Sequence, residues 1–251
     1  MDFPSDLKAA LKELAPTGKL RIGVVFAPAV STFFVAKDQA GKPRGPTVDL
    51  GEELARSLSA PIEFLVVPNS GQLVEALERE SIDVAFMPID DERKKRIDFG
   101  PSYFLIESTC LVKDNSQFKV TSDLNRLGVR VAGITNTTTI RNAMRVLGAA
   151  TVFPVSSVSE AMDRLRDGDA DAVALSRDVL LAYQRKIQGT RILDGNLHTT
   201  GVGIAVPKGR PIALLYATAF LENAKASGFV RRSFDQAGLH SDVVAPAEAA
   251  K

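Results

Sequence analysis

Apolar and polar residues alternate along the chain in two distinct patterns. Short continuous apolar runs predict buried strands, whereas apolar residues spaced three or four apart predict helices that bury one face. The first strand is predicted at 19–26, and the first helix follows at 47–59 with Thr47 as its N-cap. Two further strands, at 61–67 and 82–87, flank a second helix. The apolar positions of these two helices are Val48, Leu50, Leu54, Leu58, Leu73, Val74 and Leu77.

The same alternation starts again in the second half of the chain. Strands are predicted at 128–133, 150–155 and 171–176, and they are separated by helices at 137–148 and 157–168. Strands that alternate with helices of this length are typical of βαβ units and mainly parallel sheets. The sequence therefore predicts an α/β fold with two Rossmann-like lobes. The predicted apolar face of the first of these helices comprises Ile140, Met144 and Leu147.

Two apolar segments are predicted to pass from one lobe to the other. Residues 103–116 form a run too long and too apolar for a surface loop, and 198–209 form the second candidate. Two such crossings make a hinge. The predicted division is a first lobe of 1–109 with 200–251 and a second lobe of 110–199, joined by two hinge strands with a ligand cleft between them.

Composition and charge narrow the classes of function. The chain has 251 residues, a hydrophobic fraction of 45%, a charged fraction of 24% and a formal net charge of +1. No global field therefore attracts it to nucleic acid or to an acidic membrane. No apolar stretch approaches the roughly 20 residues needed to span a bilayer. The single cysteine, Cys110, excludes an internal disulfide and is predicted to be a buried structural thiol.

The sequence lacks the residue clusters of common catalytic and metal sites. Its two histidines, His198 and His240, and its one cysteine do not give a metal-ligand spacing. No nucleophile elbow, phosphate loop or dinucleotide-binding glycine motif occurs. We therefore predict no metal and no cofactor. His198 lies in a predicted hinge strand and is the one histidine that could join a catalytic set, although a structural role is favoured.

Five segments occur in an order that resembles a known family. The most specific is SIDVAFMPIDDERKKRIDFGPSYF (81–104), which combines a strand and short turn with a Glu-Arg, Asp-Phe, Pro, Tyr series. The others are KLRIGVVF, GPTVDLGEELARSL, GVRVAGITNTTT and GDADAVALSRDVLL. From about Leu20 to Gly238 the chain resembles the amino-acid-type periplasmic solute-binding proteins of bacterial transporters, family 3. This resemblance implies the type 2 periplasmic-binding fold.

The resemblance also implies where a ligand carboxylate is held. Arg93 occupies the position that clamps it, and the planar guanidinium suits two parallel charge-assisted hydrogen bonds. The alternative is a solvated arginine on a short charged helix. Asn136, Thr137 and Thr138 open a helix whose hydroxyl and backbone N–H groups could bind the same carboxylate. Simple capping of that helix by threonine is the alternative, and the two interpretations are compatible.

Other positions depart from the family pattern. Pro88 and Asp90 stand where the family usually has small hydroxyl residues, and Pro88 has no N–H to donate. Ser176 stands where the family usually has an acidic residue that pairs with the ligand α-ammonium. Two alternatives follow: a carboxylate ligand without an amino group, or an amine bound by Asp90 or Asp178 instead.

Two further pairs of residues complete the candidate site. Phe33 and Phe34 lie near the place where the family puts an aromatic ring against the ligand, and the alternative is that they are core residues. Asn69 and Ser70 end the second strand, where Asn69 is also a candidate helix cap. The candidate ligand-binding residues are Phe33, Phe34, Asn69, Ser70, Pro88, Asp90, Arg93, Asn136, Thr137, Thr138 and Ser176.

The resemblance implies a monomeric solute-binding component of an ABC-type uptake system, and not an enzyme. Its partners would be a small organic ligand with a carboxylate and a membrane permease, and its location would be the periplasm. The first residues carry no secretory signal, so a cytoplasmic location stays open. One alternative is a cyclohexadienyl-dehydratase-like lyase with Asp90 or His198 as general acid. The other is a sensor or adaptor domain.

Overall fold

The structure is a computed structural model that describes residues 7–27, 30–184, 187–240 and 242–247. Its helices and strands alternate along most of the chain. In chain order they are α1 (Leu7–Leu14), β1 (Leu20–Phe26), β2 (Phe34–Lys37), β3 (Pro43–Arg44), α2 (Pro46–Ser57), β4 (Ile62–Val67), α3 (Ser70–Glu78), β5 (Val84–Pro88), α4 (Asp91–Lys94), β6 (Ile97–Lys113), β7 (Arg130–Ile134), α5 (Thr138–Val146), β8 (Thr151–Val155), α6 (Val158–Asp167), β9 (Ala172–Ser176), α7 (Arg177–Gln184), β10 (Thr190–Ile192), β11 (His198–Pro207), α8 (Pro211–Ala226) and α9 (Phe229–Gln236).

The chain divides into two compact units. Unit 1 comprises Met1–Leu105 with Gly201–Lys251, and unit 2 comprises Ile106–Thr200. The chain passes between the units inside two strands, β6 and β11. The first of these strands begins at Ile97, several residues before the predicted crossing segment. Within the part of the chain that the structure describes, no helix is long and apolar enough to cross a membrane.

Unit 1 is built on a mainly parallel sheet. Strand β1 is parallel to β2, β4 and β5, whereas β11 runs antiparallel to β5. The carboxyl ends of β4 and β5 lead directly into helices α3 and α4. This places the first residues of both helices beyond the same ends of the sheet, where ligands bind in open α/β folds. The predicted apolar face of α2 is confirmed, because Val48, Leu50, Leu54 and Leu58 are all buried.

The start of α2 differs from the prediction. The N-cap is Gly45, with φ of 138°, and Pro46 occupies the first turn. Thr47 is therefore not the N-cap; it lies inside the helix, buried, with its hydroxyl 3.5 Å from the Phe33 carbonyl. Proline pre-sets the first helical φ, and the preceding φ requires glycine. The Gly-Pro pair, not the threonine, starts this helix.

The strands of unit 2 pair in both parallel and antiparallel fashion. Strand β7 is parallel to β8 and β9, and β6 runs antiparallel to β9. Cys110 lies in the core of this unit, which confirms the predicted buried thiol, and burial raises its pKa above the usual range. The predicted apolar face of α5 is partly wrong, because Met144 is 46% exposed. The small Ala143 takes its place between the buried Ile140 and Leu147.

The first part of β6 and the last part of β11 approach closely within unit 1. A Cβ atom added at Gly203 would lie 2.8 Å from the Pro101 carbonyl oxygen and 3.2 Å from the Gly100 carbonyl oxygen. A Cβ added at Gly201 would meet the Ser102 hydroxyl. Because the obstructing atoms at Gly203 belong to the backbone, they cannot move aside as a flexible side chain would.

We expect Gly203→Ala to lower the free energy of unfolding by about 1–3 kcal/mol, the usual range for overpacking. Chemical denaturation followed by circular dichroism measures the change. Gly148→Ala is the control, because an added Cβ there meets no atom within 4 Å. It should leave stability unchanged or slightly raised. Equal effects of the two substitutions would contradict the close approach of these strands.

Candidate functional site

In unit 1, the residues that follow β4 form the start of helix α3. Asn69 is its N-cap, and the side-chain oxygen accepts a hydrogen bond from the Gln72 N–H at 3.1 Å. The helix-cap interpretation of Asn69 is therefore confirmed. Ser70 is the first residue of the helix and is buried. Its hydroxyl is thus held at the carboxyl end of the sheet, facing the protein interior.

Arg93 lies on the short helix α4 and is only 3% exposed. Its Nη1 donates to the Pro88 carbonyl oxygen at 2.8 Å, and its Nη2 donates to the Ser70 hydroxyl at 2.7 Å. The interpretation as a solvated surface arginine is therefore wrong. The two hydrogen bonds fix the plane of the guanidinium beyond the ends of β4 and β5. A group fixed in this way is oriented before any ligand arrives.

Asp90 and Pro88 both accept hydrogen bonds from Arg93. Asp90 is the N-cap of α4, where its Oδ1 accepts from the Arg93 N–H at 2.8 Å. Its Oδ2 lies 3.9 Å from Arg93 Nε, so the carboxylate also faces the guanidinium. Pro88 ends β5 and contributes its carbonyl oxygen. The two residues that depart from the family pattern therefore both contact Arg93.

The two phenylalanines of unit 1 have different environments. Phe33 is buried, which confirms the core interpretation for this residue. Phe34 begins β2 and is half-buried, with its ring centroid 4.6 Å from that of Phe33. The Ser31 hydroxyl accepts from the N–H groups of both residues and so fixes the turn before β2. Phe34 is the ring of this pair with surface left for a contact.

In unit 2, the three residues at the start of α5 play distinct roles. Asn136 is exposed and adopts a left-handed φ of 59°, which turns the chain into the helix. Thr137 is the N-cap: its Oγ1 accepts from the Ile140 N–H at 3.3 Å and donates to the Ile134 carbonyl at 2.8 Å. The capping interpretation of Thr137 is therefore confirmed. Thr138 is buried as the first residue of the helix.

A group of buried hydroxyls lies at the carboxyl end of β9. Ser176 ends this strand and pairs in register with Ser108 of β6. The Ser108 hydroxyl lies 3.1 Å from that of Thr139, and all three side chains are buried. Sequence reasoning singled out Ser176 and missed the other two. Ser108 and Thr139 could hardly have been found from the sequence. A serine in an apolar run or a threonine in a threonine-rich run does not indicate which group it hydrogen-bonds.

Two charged residues follow Ser176 at the start of α7. Arg177 donates from Nε to Glu107 Oε2 at 2.9 Å and from Nη2 to the Gly195 carbonyl at 2.8 Å. Asp178 behaves differently, because both of its carboxylate oxygens are enclosed and neither has a hydrogen-bond partner among the residues that the structure describes. Among the residues described, no three His, Cys, Asp or Glu side chains are grouped as metal ligands.

Comparison with known proteins shows the family of the chain. The model of the bacterial extracellular solute-binding proteins, family 3, matches residues 22–238. The chain belongs to this family. A glutamine-binding protein of Geobacillus stearothermophilus is 27% identical over 203 residues, which are 79% of this chain and 76% of the relative. The predicted family membership is therefore confirmed.

Solved structures of similar proteins agree with the fold. An ancestral arginine-binding protein bound to arginine is 31% identical, with a TM-score of 0.75 over 87% of this chain and 97% of the other. An ancestral amino acid-binding protein, described as a precursor of cyclohexadienyl dehydratase, is 29% identical, with a TM-score of 0.75 over 90% and 97%. The predicted α/β class and type 2 periplasmic-binding fold are confirmed.

Proposed function

We propose that this family member is the solute-binding component of an ABC-type uptake system and binds an amino-acid-like molecule through its carboxylate. Family membership and the binding proteins among its relatives support the class of ligand. The observation that carries the proposal is the buried guanidinium of Arg93, held by the Pro88 carbonyl and the Ser70 hydroxyl. We propose that unit 2 contributes as well, through the start of α5.

The chemistry of both groups suits a carboxylate. Arginine presents a planar set of N–H donors that match two carboxylate oxygens, and charge-assisted bonds of this kind are short and strong. Because the Arg93 side chain is already ordered, binding loses little of its rotamer entropy. The start of α5 adds backbone N–H groups and the positive end of a helix dipole. Thr138 places a buried hydroxyl at the same point.

We expect Arg93→Ala and Arg93→Lys each to weaken binding of the family's ligands at least tenfold. The alanine variant removes the positive charge, whereas the lysine variant keeps it and loses the planar set of N–H donors. Comparison of the two separates the contribution of the charge from that of the two parallel hydrogen bonds. A thermal-shift screen of L-glutamine, L-arginine and glutaramate (glutamine without its α-amino group) would identify a probe. Titration calorimetry with that probe then gives Kd for each variant.

Arg56→Ala is the matched control, because it removes an exposed arginine from the same unit. It should leave Kd unchanged. Melting temperatures of the ligand-free variants show whether the buried Arg93 is also needed for folding. If Arg93→Lys melts like the parent protein and binds the probe with the parent's affinity, the proposed carboxylate clamp is wrong.

We propose a membrane permease as the protein partner, the periplasm as the location and a monomer as the working form. The family's description as extracellular solute-binding proteins supports the first two points. Co-purification with a permease and release with the periplasmic fraction would test them. A mass from light scattering that corresponds to a dimer would contradict the monomer.

One structural neighbour favours a second candidate, a lyase that acts on a cyclohexadienol carboxylic acid. That neighbour is described as a precursor of cyclohexadienyl dehydratase. The general acid would be Asp90 or His198. In the structure Asp90 accepts a hydrogen bond as a helix cap, which is a binding role for a carboxylate. Turnover that is lost in Asp90→Asn or His198→Gln would establish the lyase, and binding without turnover would exclude it.

A further inference from the structure

Strands β2 and β3 form a hairpin that projects from the sheet of unit 1. Strand β2 runs parallel to β1, and Phe26, the last residue of β1, lies opposite Val35. Ala36 and Lys37 therefore extend beyond the carboxyl end of β1, and β3 pairs with this extension. Because β1 is parallel to β4 and β5, helices α3 and α4 begin at the same end of the sheet. The hairpin thus stands at the edge of unit 1 that carries Arg93.

Three exposed cations lie along this hairpin. Lys37 ends β2, Lys42 lies in the connection, and Arg44 ends β3. Within residues 7–27, 30–184, 187–240 and 242–247, none of the three forms an ion pair. The one acid of segment 37–44 is Asp38, so the segment carries a net charge of +2, which is three cations less one carboxylate. Its positive charge is therefore not compensated by the described part of the chain.

Hydrogen bonds fix the connection between the two strands. The Asp38 Oδ1 accepts from the N–H groups of Ala40 and Lys42, both at 2.8 Å. The Asp38 N–H donates to the Lys42 carbonyl at 2.8 Å, and Gly41 supplies the left-handed φ of 79° that the turn needs. The carboxylate is thereby held against the backbone of the turn, and the cationic side chains extend from an ordered hairpin.

An exposed aromatic ring lies beside the cations. Phe26 is 39% exposed, and Lys37 Nζ lies 5.8 Å from the centroid of its ring. An apolar side chain flanked by cations suits the boundary between lipid headgroups and acyl chains, where the ring leaves water and the cations meet phosphate. The hairpin combines both features at a projecting point of unit 1.

We propose that the β2–β3 hairpin binds the anionic headgroups of a lipid membrane. The whole chain has a net charge of only +1, so the attraction is local and is screened by salt. This inference is independent of the proposed solute-binding function. It concerns a surface of unit 1 and not the bound solute.

The flexible side chains favour a membrane over an acidic protein as the partner. A defined acidic site gains most from donors in fixed positions, such as the guanidinium of Arg93 with its two hydrogen bonds. The side chains of Lys37 and Lys42 have no hydrogen bond or ion pair that would fix them within the described segments. Mobile anionic headgroups do not require fixed donors, because the attraction depends on the number of cations near the surface.

Binding to vesicles tests the proposal. The parent protein should bind vesicles of half phosphatidylglycerol and half phosphatidylcholine at low ionic strength, and neither pure phosphatidylcholine nor the mixed vesicles at high salt. We expect Lys37→Gln with Lys42→Gln to weaken binding about tenfold or more, because each lysine near an anionic surface contributes several-fold. Lys8→Gln with Lys12→Gln is the matched control, since it removes two exposed lysines from α1 and changes the net charge equally. It should bind much as the parent does.

A single tryptophan reports contact at the hairpin itself. The chain contains no tryptophan, so Phe26→Trp introduces the only indole. Its emission should shift to shorter wavelength when anionic vesicles are added, because the ring leaves water. The shift should disappear when Lys37→Gln and Lys42→Gln are added to this variant. A change in net charge alone would not move the emission of this one ring.

Lys37→Arg with Lys42→Arg keeps both charges and should retain vesicle binding. All of these lysines are exposed, so the variants should melt at the temperature of the parent. If the parent protein does not bind anionic vesicles, or if the hairpin and α1 variants lose equal affinity, the proposal is wrong. If the parent instead binds immobilised polyglutamate through Lys37 and Lys42 and ignores the vesicles, the partner is an acidic polypeptide and the membrane is excluded.

Discussion

Asp83→Ala is expected to lower the free energy of unfolding by about 3–5 kcal/mol, the range seen when one partner of a buried ion pair is removed. Asp83 is fully buried just before β5. Its Oδ2 accepts from Arg21 Nε at 2.9 Å, and its Oδ1 accepts from Arg21 Nη2 at 2.7 Å and Arg210 Nη1 at 3.1 Å. The substitution therefore removes the carboxylate bound to the largely buried guanidinium of Arg21 and one of the two carboxylates bound to Arg210, which keeps Glu80 Oε2 at 2.8 Å from its Nη2.

The same contacts join three distant parts of unit 1. Arg210 also donates to the Glu13 carbonyl at 2.7 Å, and the Glu13 carboxylate accepts from the Ala213 N–H at 2.8 Å. Glu13 thereby satisfies a donor in the first turn of α8, which has no side-chain cap of its own. Asp83→Ala should loosen Arg210 and, through it, the attachment of α1 and α8 to the sheet.

Unit 2 contains an ion pair with the same hydrogen-bond pattern but greater exposure to solvent, and this pair serves as the control. Asp171 precedes β9 and binds the N–H and guanidinium of Arg130, as Asp83 binds Arg21. This second pair is exposed, with 44% of the arginine side chain and 34% of the aspartate side chain accessible. Asp171→Ala should change the free energy of unfolding by no more than about 1 kcal/mol. Urea denaturation of both variants measures the difference, and equal losses would refute the role assigned to burial.

The strands and the core-facing helices could be predicted because each depends on a local pattern. The strands near 19–26, 61–67 and 82–87 have continuous apolar runs, and they appear within a few residues of the predicted bounds. Helix α3 buries Leu73, Val74 and Leu77 as its spacing predicts. Periodicity alone carries this information, because it reflects which face of one element meets the core.

Contacts between elements distant in sequence could not be predicted. The fixed orientation of Arg93 depends on Ser70, which lies on another helix. The cap of α8 comes from Glu13, almost the whole chain away. Thr47 fits the pattern of an N-cap, yet the Gly-Pro pair before it starts the helix. Met144 fits the apolar spacing of α5, yet the smaller Ala143 is buried in its place. The candidate residues of the site could be predicted from the sequence, whereas their hydrogen-bond partners are seen only in the structure.

Asp178 illustrates the same limit for function. In the sequence it is one of several acids near a predicted strand end, with nothing to separate it from Asp90. The structure separates the two by their partners, since Asp90 caps a helix, whereas the side chain of Asp178 has no hydrogen bond within the described ranges. The resemblance pointed to Ser176 as the place where the expected acid is missing. The enclosure of the carboxylate two residues later could not have been selected from spacing alone.

Lys225→Met is the second substitution with a large expected effect, and should lower the free energy of unfolding by about 3–5 kcal/mol. Only 2% of the Lys225 side chain is exposed, and its Nζ lies 2.7 Å from Glu222 Oε1. The same Nζ donates to the Ser102 carbonyl at 3.0 Å and the Pro246 carbonyl at 3.1 Å. Methionine fills similar space but leaves the buried Glu222 carboxylate without this ammonium group.

A double variant separates the charge pair from the carbonyl contacts. In Lys225→Met with Glu222→Gln neither charge of this buried pair is left, so this protein should be more stable than Lys225→Met alone. It should stay less stable than the parent, because the carbonyls of Ser102 and Pro246 lose a donor. A double variant no more stable than the single one would show that the pair contributes little.

Hydrogen exchange provides a local test of the same lysine. The segment around Pro246 is also held by the Ala245 N–H, which donates to the Tyr103 carbonyl at 2.8 Å in the first part of β6. If Lys225 anchors this segment, exchange at Ala245 should accelerate in Lys225→Met more than exchange in the central strand β1. Equal acceleration at both places would mean that the substitution destabilises unit 1 as a whole. The segment would then be held by its backbone contacts to β6, without a specific contribution from the lysine.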